Sequence, residues 1–279
     1  TLRRAATRSP RTHARIARAK ETMTLHRTET EDAGGPSLRR NRTRQTEVAV
    51  LGFILLLPLL TGDAALIERF GGYFLLAIFA ISVDLIWGYG GLFTFGHAAF
   101  FGGGGYLVGM LTTRDGWVLP LPLGLAIILA VAGTATLALA MSYFVFSGRL
   151  ALRGVEFAVV TLAVAVMAER LANAGGSVSG GQNGILMEER LDIPGVISLH
   201  KGSGFYFLAA ILLIITYVVV KRFVASDAGL ILLGIRSNED RIDLLGYDVP
   251  RIKRRTFVLS GALAGFAGSV YFTQFGIVS

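Results

Sequence analysis

Cysteine is absent from the 279 residues. No disulfide, thiolate nucleophile or cysteine metal site is therefore available. Histidine is nearly as scarce: His13, His26, His97 and His200 stand far apart and offer no metal-ligand spacing. Charge is thin, at 16% of residues against the roughly 25% of soluble domains. There is no G-x-x-x-x-G-K-[ST] loop, which excludes nucleotide hydrolysis by that route. The amino-terminal tail has no secretory h-region, and no ten-residue stretches of alternating polarity suggest a transmembrane barrel. No catalytic constellation remains, so the sequence reads as a non-enzyme.

What the chain has in quantity is apolar length. Hydrophobic residues make up 53% and the mean hydropathy is +0.59. Several runs reach the roughly 17–25 residues that cross a bilayer. The expected fold is an all-α, polytopic membrane bundle with about seven spans, at 48–61, 71–88, 94–111, 118–146, 155–173, 205–220 and 256–275. The fourth run is longer than one crossing needs and has room for an interfacial start around Pro120 and Pro122. Two regions follow: a basic tail over 1–47 and a transmembrane domain over 48–279. The tail carries twelve Lys/Arg and five Asp/Glu in a Ser/Thr-rich context, which predicts disorder and contact with anionic lipid. Without a folded reader motif, nucleic acid is not an expected partner. Met23 is an alternative start.

Charge sets the orientation. With the amino terminus in the cytoplasm, the inner segments after the tail hold ten Lys/Arg: Arg149, Arg153, Lys221, Arg222, Arg236, Arg241, Arg251, Lys253, Arg254 and Arg255. The outer segments and nearby helix ends hold five: Arg69, Arg114, Arg170, Arg190 and Lys201. The segment 221–255 is thus cytoplasmic, a charged island between two apolar spans. Ser237, followed by an acid at Asp240, predicts a helix start. Gly246 predicts its stop. Ile242 and Leu245 fall on one face of this two-turn helix by their i, i+3 spacing.

The stretch from Asp84 to Tyr106 is the second distinctive region, with nine glycines between Gly88 and Gly109. Glycine serves close helix packing or broken helices that line a solvated path, and both readings stay open. Membrane-apolar flanks exclude a dinucleotide site here. Asp84 and His97 are ionisable groups at membrane depth, so each is either a structural hydrogen-bonding group or part of a pathway. Gln182 and Asn183 sit among glycines in an outer loop that suits either a local turn or contact with an uncharged solute. Gly261 and Gly265 repeat at small-xxx-small spacing, which predicts tight helix association.

Asp84-Leu-Ile-Trp-Gly-Tyr-Gly-Gly-Leu, Phe95-Gly-His-Ala-Ala-Phe-Phe-Gly102 and Gly105-Tyr106 resemble the inner-membrane permeases of branched-chain amino acid ABC transporters. Further blocks are Leu152-Arg-Gly-Val-Glu-Phe-Ala-Val-Val-Thr-Leu162, Gly180-Gly-Gln-Asn-Gly-Ile185, Ile235-Arg-Ser-Asn-Glu-Asp-Arg241 with Leu245-Gly-Tyr-Asp248, and Phe257-Val-Leu-Ser-Gly-Ala-Leu-Ala-Gly265. The longer, M-type subunit is most similar, over about residues 71–275.

The resemblance implies a cell-membrane importer. Its parts would be a second permease subunit, two ATP-binding subunits that hold ATP and magnesium, and an extracytoplasmic substrate-binding protein. This chain would itself bind no cofactor. Arg236, Asn238, Glu239, Arg241, Leu245 and Gly246 become the segment coupled to the ATPase. Asp84, Gly96, His97, Gly102, Gly105, Gln182 and Asn183 become pathway or packing residues. The island departs from the wider importer pattern of an acid, two alanines and a glycine after three more residues, since Glu239 lies seven residues before Gly246. Family members continue past the last span, so the stop at Ser279 reads as a truncation. Alternatives are a permease for urea or short amides, which shares Asp84-Leu-Ile-Trp-Gly-Tyr, and a secondary transporter.

Overall fold

The computed structural model describes residues 63–113, 121–146, 154–176, 179–186, 192–193, 197–198 and 203–278, together with Gly52. The tail, the boundary at 47/48 and, apart from Gly52, the expected span at 48–61 lie outside the described residues. The chain divides after Leu60, and the unit Thr61–Ser279 is described by itself.

Asp63 opens the first helix, α1 (Ala64–Asp84), by accepting the Ala65 N–H at 2.9 Å. A π-helical turn, Leu85–Tyr89, continues it before the chain loosens. Next come α2 (His97–Thr112), α3 (Leu123–Phe146) and α4 (Gly154–Ala174). A short 3₁₀ turn, Gly181–Asn183, precedes the strands β1 (Ile185–Leu186), β2 (Asp192–Ile193) and β3 (Ile197–Ser198). Then follow α5 (Ser203–Val224), α6 (Asp227–Ser237), α7 (Glu239–Leu244), α8 (Val249–Phe275) and β4 (Ile277–Val278).

Among the described residues, four helices are long and apolar enough to cross a membrane: Ala65–Tyr89, Leu123–Phe146, Gly204–Val224 and Val249–Phe275. Two further expected spans are also helices. One of them, α2, has 16 residues. At about 1.5 Å per residue it measures about 24 Å, short of a hydrocarbon core of about 30 Å. The other, α4, carries Glu156, Glu169 and Arg170 near its ends. The fourth span begins only at Leu123, directly after Pro122.

The centre of the bundle is α8. In its most apolar window 61% is buried, against 22% for α3 and α5, so those two turn most of their surface outward. Helices α1, α2 and α3 pack around α8, with α5 outside α1. Backbones approach closely where the sequence permits: a side chain at Gly104 would collide with the Gly265 carbonyl, and one at Gly268 with the Phe101 carbonyl. Gly261 and Gly265 face Ala138 and Thr134 of α3, so the small-residue spacing is a packing seam. Phe100, Phe146, Phe157 and Phe257 form an aromatic cluster in this core.

Two poles emerge, and they agree with the charge arithmetic. Segments assigned to the outside meet at one end. Ile185 and Leu186 pair antiparallel with Val278 and Ile277, Thr113 donates to the Leu186 carbonyl at 3.5 Å, and Gln274 donates to Glu68 at 3.1 Å. Segments assigned to the inside, around Gly90, Gly154 and Arg236, meet at the other end, in one polar cavity. Helices laid out with a different alternation would not bring these distant residues together.

Candidate functional site

The inner pole is built from α6 and α7. The chain leaves α5 at Lys221 and Arg222, turns at Ala225 and Ser226, and starts α6 at Asp227. Leu232 and Ile235 face inward and are buried, whereas Leu230 is exposed. Sequence reasoning missed this 11-residue helix. Its signals were Ser226-Asp227 at the start and the apolar run 230–233.

Arg236 clamps α6 onto the turn after α1. Its Nη1 donates to the Gly88 carbonyl, and its aliphatic stem lies against Gly91, whose φ of +69° and missing side chain allow the approach. Asn238 then breaks the helix with extended backbone (φ −161°, ψ 99°) and caps α7, its side-chain oxygen accepting the Arg241 N–H at 3.0 Å. The expected cap at Ser237 is thus corrected by one residue: Ser237 still belongs to α6, and only Asn238 has the backbone a cap requires. Gly246 ends the segment with φ +87°.

Ile242 and Leu245 do not share a buried face. Ile242 packs on Gly234 of α6, whereas Leu245 sits at the C-cap with 67% of its surface exposed. The exposed side of the segment therefore carries Leu244, Leu245, Tyr247 and Arg241.

Sequence reasoning counted Lys253 only as one of the inner cations and missed its contact. It is 3% exposed and its Nζ donates to Glu239 Oε2 at 2.6 Å. The ammonium also lies 5.9 Å from the Phe146 ring centroid. Glu239 is the first residue of α7 and Lys253 lies in the first turns of α8, so a charge-assisted contact ties the surface helix to the central one. The phase was legible: Lys253, Thr256, Phe257, Ser260, Gly261 and Ala264 form one buried stripe at helical spacing. Beside the pair lies a polar cavity of about 370 Å³, bounded by Gly90, Arg236, Asn238, Glu239 and Lys253.

His97 heads α2 and is buried between Phe100 and Phe257. Its Nε2 lies 2.6 Å from Ser260 Oγ, and the Ser260 hydroxyl donates to the Ser82 carbonyl. Ser260 must therefore accept from Nε2–H. That leaves Nδ1 as an acceptor facing the Thr94 hydroxyl at 3.4 Å, while Thr94 Oγ1 accepts the Gly96 N–H at 3.1 Å. The relay joins α1, the connection before α2, and α8.

The family described as branched-chain amino acid transport system / permease component matches residues 70–279. The chain belongs to this family. It is 26% identical over 228 residues to the high-affinity branched-chain amino acid transport system permease protein LivM of Salmonella typhimurium, covering 72% of this chain and 51% of the relative. The protein of the same name from Escherichia coli strain K12 matches with the same identity and coverage. The chain thus spans about half the length of the curated relatives it matches. No solved structure matches it.

The remaining candidate residues of this permease-family chain are not assembled into one site. Asp84 is exposed at the end of α1, with Gly88 leaving room for its carboxylate. Gly96 abuts Thr161 of α4, whose hydroxyl also accepts the Phe95 N–H at 3.2 Å. Gly105 faces the Phe272 ring, so both glycines lie where neighbouring atoms approach closely. Gly102 has open space around it. Gln182 and Asn183 belong to the 3₁₀ turn at the outer pole, between Gly180 (φ +72°) and Gly184 (φ +70°). Ser179 secures that turn by donating to the Ala172 carbonyl.

Proposed function

We propose that the chain is a translocation subunit of an ATP-driven importer for branched-chain amino acids, moved by separate ATP-binding subunits that dock on α6 and α7 at the cytoplasmic face. Family membership over 70–279 carries the transport reading. The docking reading rests on the inner pole: a two-helix projection with Leu244 and Leu245 exposed, held to the central helix by Glu239 and Lys253. Exposed leucines beside Arg241 suit a protein groove better than water. ATP and magnesium would be held by the ATP-binding subunits. A second permease subunit and an extracytoplasmic binding protein would complete the machine.

Closing of an ATP-binding pair would push α7, and the Glu239–Lys253 contact would transmit that push to α8. Because α8 packs on α1, α2 and α3, tilting it would exchange two packings of the bundle, which is alternating access. Urea or a short amide is the second substrate class, through the Asp84–Tyr89 block.

The test is substrate-stimulated ATP hydrolysis and uptake by the full complex in proteoliposomes. Changing Glu239 and Arg241 together should uncouple hydrolysis from uptake while membrane insertion persists. Uptake equal to wild type in that variant would remove the segment from the mechanism. Uptake that ignores leucine, isoleucine and valine but follows urea would move the substrate to the second class.

A further inference from the structure

Between α1 and α2 the chain turns back into the bundle without forming helix. Gly90 and Gly91 lie at the inner pole beside Arg236. Further along, the Phe95 N–H donates to Thr161 Oγ1 at 3.2 Å, and His97 reaches Ser260. Thr161 lies five residues past Glu156 on α4, and Ser260 five past Arg255 on α8, so each sits about 8 Å deeper than those charges. The stretch 91–96 therefore crosses the inner part of the bundle as non-helical backbone, and α2 starts inside it. At membrane depth such backbone is tolerated only where protein buries it or where it lines a water-filled cavity.

Only one side of the stretch is buried. Leu92, Thr94 and Gly96 turn into the bundle, whereas Phe93 is half-buried and Phe95 is 50% exposed. The rings form a ladder. Phe95 meets Phe93 at 4.7 Å between centroids, and Phe93 meets Trp87 of the π-helical turn at 4.7 Å, both edge to face. Trp87 and Asp84 are exposed, with Leu85 and Ile86 buried between them. Asp84 lies two residues from Ser82 and Phe95 two from His97, so the carboxylate and the upper ring flank the same relay. A carboxylate turned outward at that level calls for water, since hydrocarbon would be costly. Past the rings, Ala98 is exposed, and a methyl added at Gly102 would meet nothing within 4 Å. Phe95, Ala98 and Gly102 run i, i+3, i+7, so the bulky face becomes a small one deeper in the bundle.

We infer that Trp87, Phe93 and Phe95 form the inner constriction of the solute path, with Ala98 and Gly102 in the wider stretch beyond it, an inference that rests on the transport reading above. Re-entrant backbone and the outward carboxylate both call for a wet face here, and apolar rings are what such a face needs to stop leakage. They narrow the path and expel water when they close, without binding the solute. A belt of interfacial aromatics would account for Trp87 alone, since Phe93 and Phe95 ride on backbone that runs inward. The foot of the ladder is also held from the docking segment: Arg236 of α6 donates to the Gly88 carbonyl within the π-helical turn. The docking segment thus touches the constriction directly, apart from its contact with α8.

The chain has no cysteine, so single thiols report on chosen positions. Ala98→Cys and Gly102→Cys are tested in the full complex in inside-out membrane vesicles. A charged, membrane-impermeant methanethiosulfonate is added, and adducts on this chain are followed by mass spectrometry. Both thiols should react slowly. Phe95→Ala breaks one ring pair and should speed the Gly102→Cys reaction about tenfold. Phe93→Leu keeps apolar bulk but ends both ring contacts, and should speed it at least as much. Phe95→Trp keeps a ring and should hold the slow rate. Ile128→Cys and Ile215→Cys, exposed on α3 and α5, should stay unreacted, because the reactive thiolate does not form in hydrocarbon. Inert thiols at both α2 positions in every background, an unchanged rate in Phe95→Ala and Phe93→Leu, or Ile128→Cys reacting as fast as Gly102→Cys would each overturn the constriction. No nucleotide or amino acid enters the labelling, so a complex that fails to take up leucine would overturn the importer reading and leave the constriction standing.

Discussion

Replacing Lys253 with methionine tests the strut between α7 and α8. The substitution keeps an unbranched chain of similar reach against Phe146 but removes the ammonium. Glu239 then loses the donor that lies 2.6 Å from its Oε2. The Lys253 side chain is 4% exposed and that of Glu239 is 20% exposed, so water compensates only the acid, and only in part. Removing one partner of a fully buried pair costs about 3–5 kcal/mol, and the partial exposure of Glu239 places this case near the lower limit, at about 3 kcal/mol. Glu239→Gln keeps an oxygen that accepts from the ammonium, a bond still assisted by the cation's charge, so it should cost about half as much, about 1.5 kcal/mol. Independent effects would sum to about 4.5 kcal/mol, whereas the double variant no longer strands a charge and should cost about 2 kcal/mol, leaving a coupling of about 2.5 kcal/mol. Unfolding in mixed micelles at rising dodecyl sulfate fraction, followed by circular dichroism, measures all three. Additive losses, or a Lys253→Met variant within about 0.5 kcal/mol of wild type, would refute the strut.

Leu245→Asp changes an exposed side chain, so it should alter stability by less than about 0.5 kcal/mol yet abolish coupled uptake; normal uptake in proteoliposomes would show that this surface docks nothing. Gly104→Leu forces a side chain into the Gly265 carbonyl and should cost more than the about 1–3 kcal/mol of ordinary overpacking, because backbone cannot move aside as a side chain does. Gly102→Ala, with nothing within 4 Å of the added methyl, should instead stabilise α2 by up to about 1 kcal/mol, and the same unfolding assay separates the two. Ser260→Ala removes the group between His97 and the Ser82 carbonyl, leaving a buried donor and acceptor unmatched, and should cost about 1–3 kcal/mol in that assay.

The sequence was most informative where physics acts along one helix or across the bilayer. Apolar length predicted the helices, and the arginine asymmetry predicted which loops share a pole. Arg236 meeting Gly88, and Ile185 meeting Val278, are the three-dimensional expression of that asymmetry. Gly261 and Gly265 disclosed a seam because small residues at i, i+4 let apolar helices approach closely.

What escaped depended on contacts between helices. Ser237 and Asn238 are both good caps, and only the end of α6 decides between them. Lys253, Arg254 and Arg255 are three adjacent cations with the same formal charge, yet α8 turns about 100° per residue, sending the first into the core and the others to the surface. Composition treats them alike; the helix start at Asp248, Val249 and Pro250 fixes their phase. That phase gives Lys253 alone of the three the contact with Glu239 that ties α7 to α8.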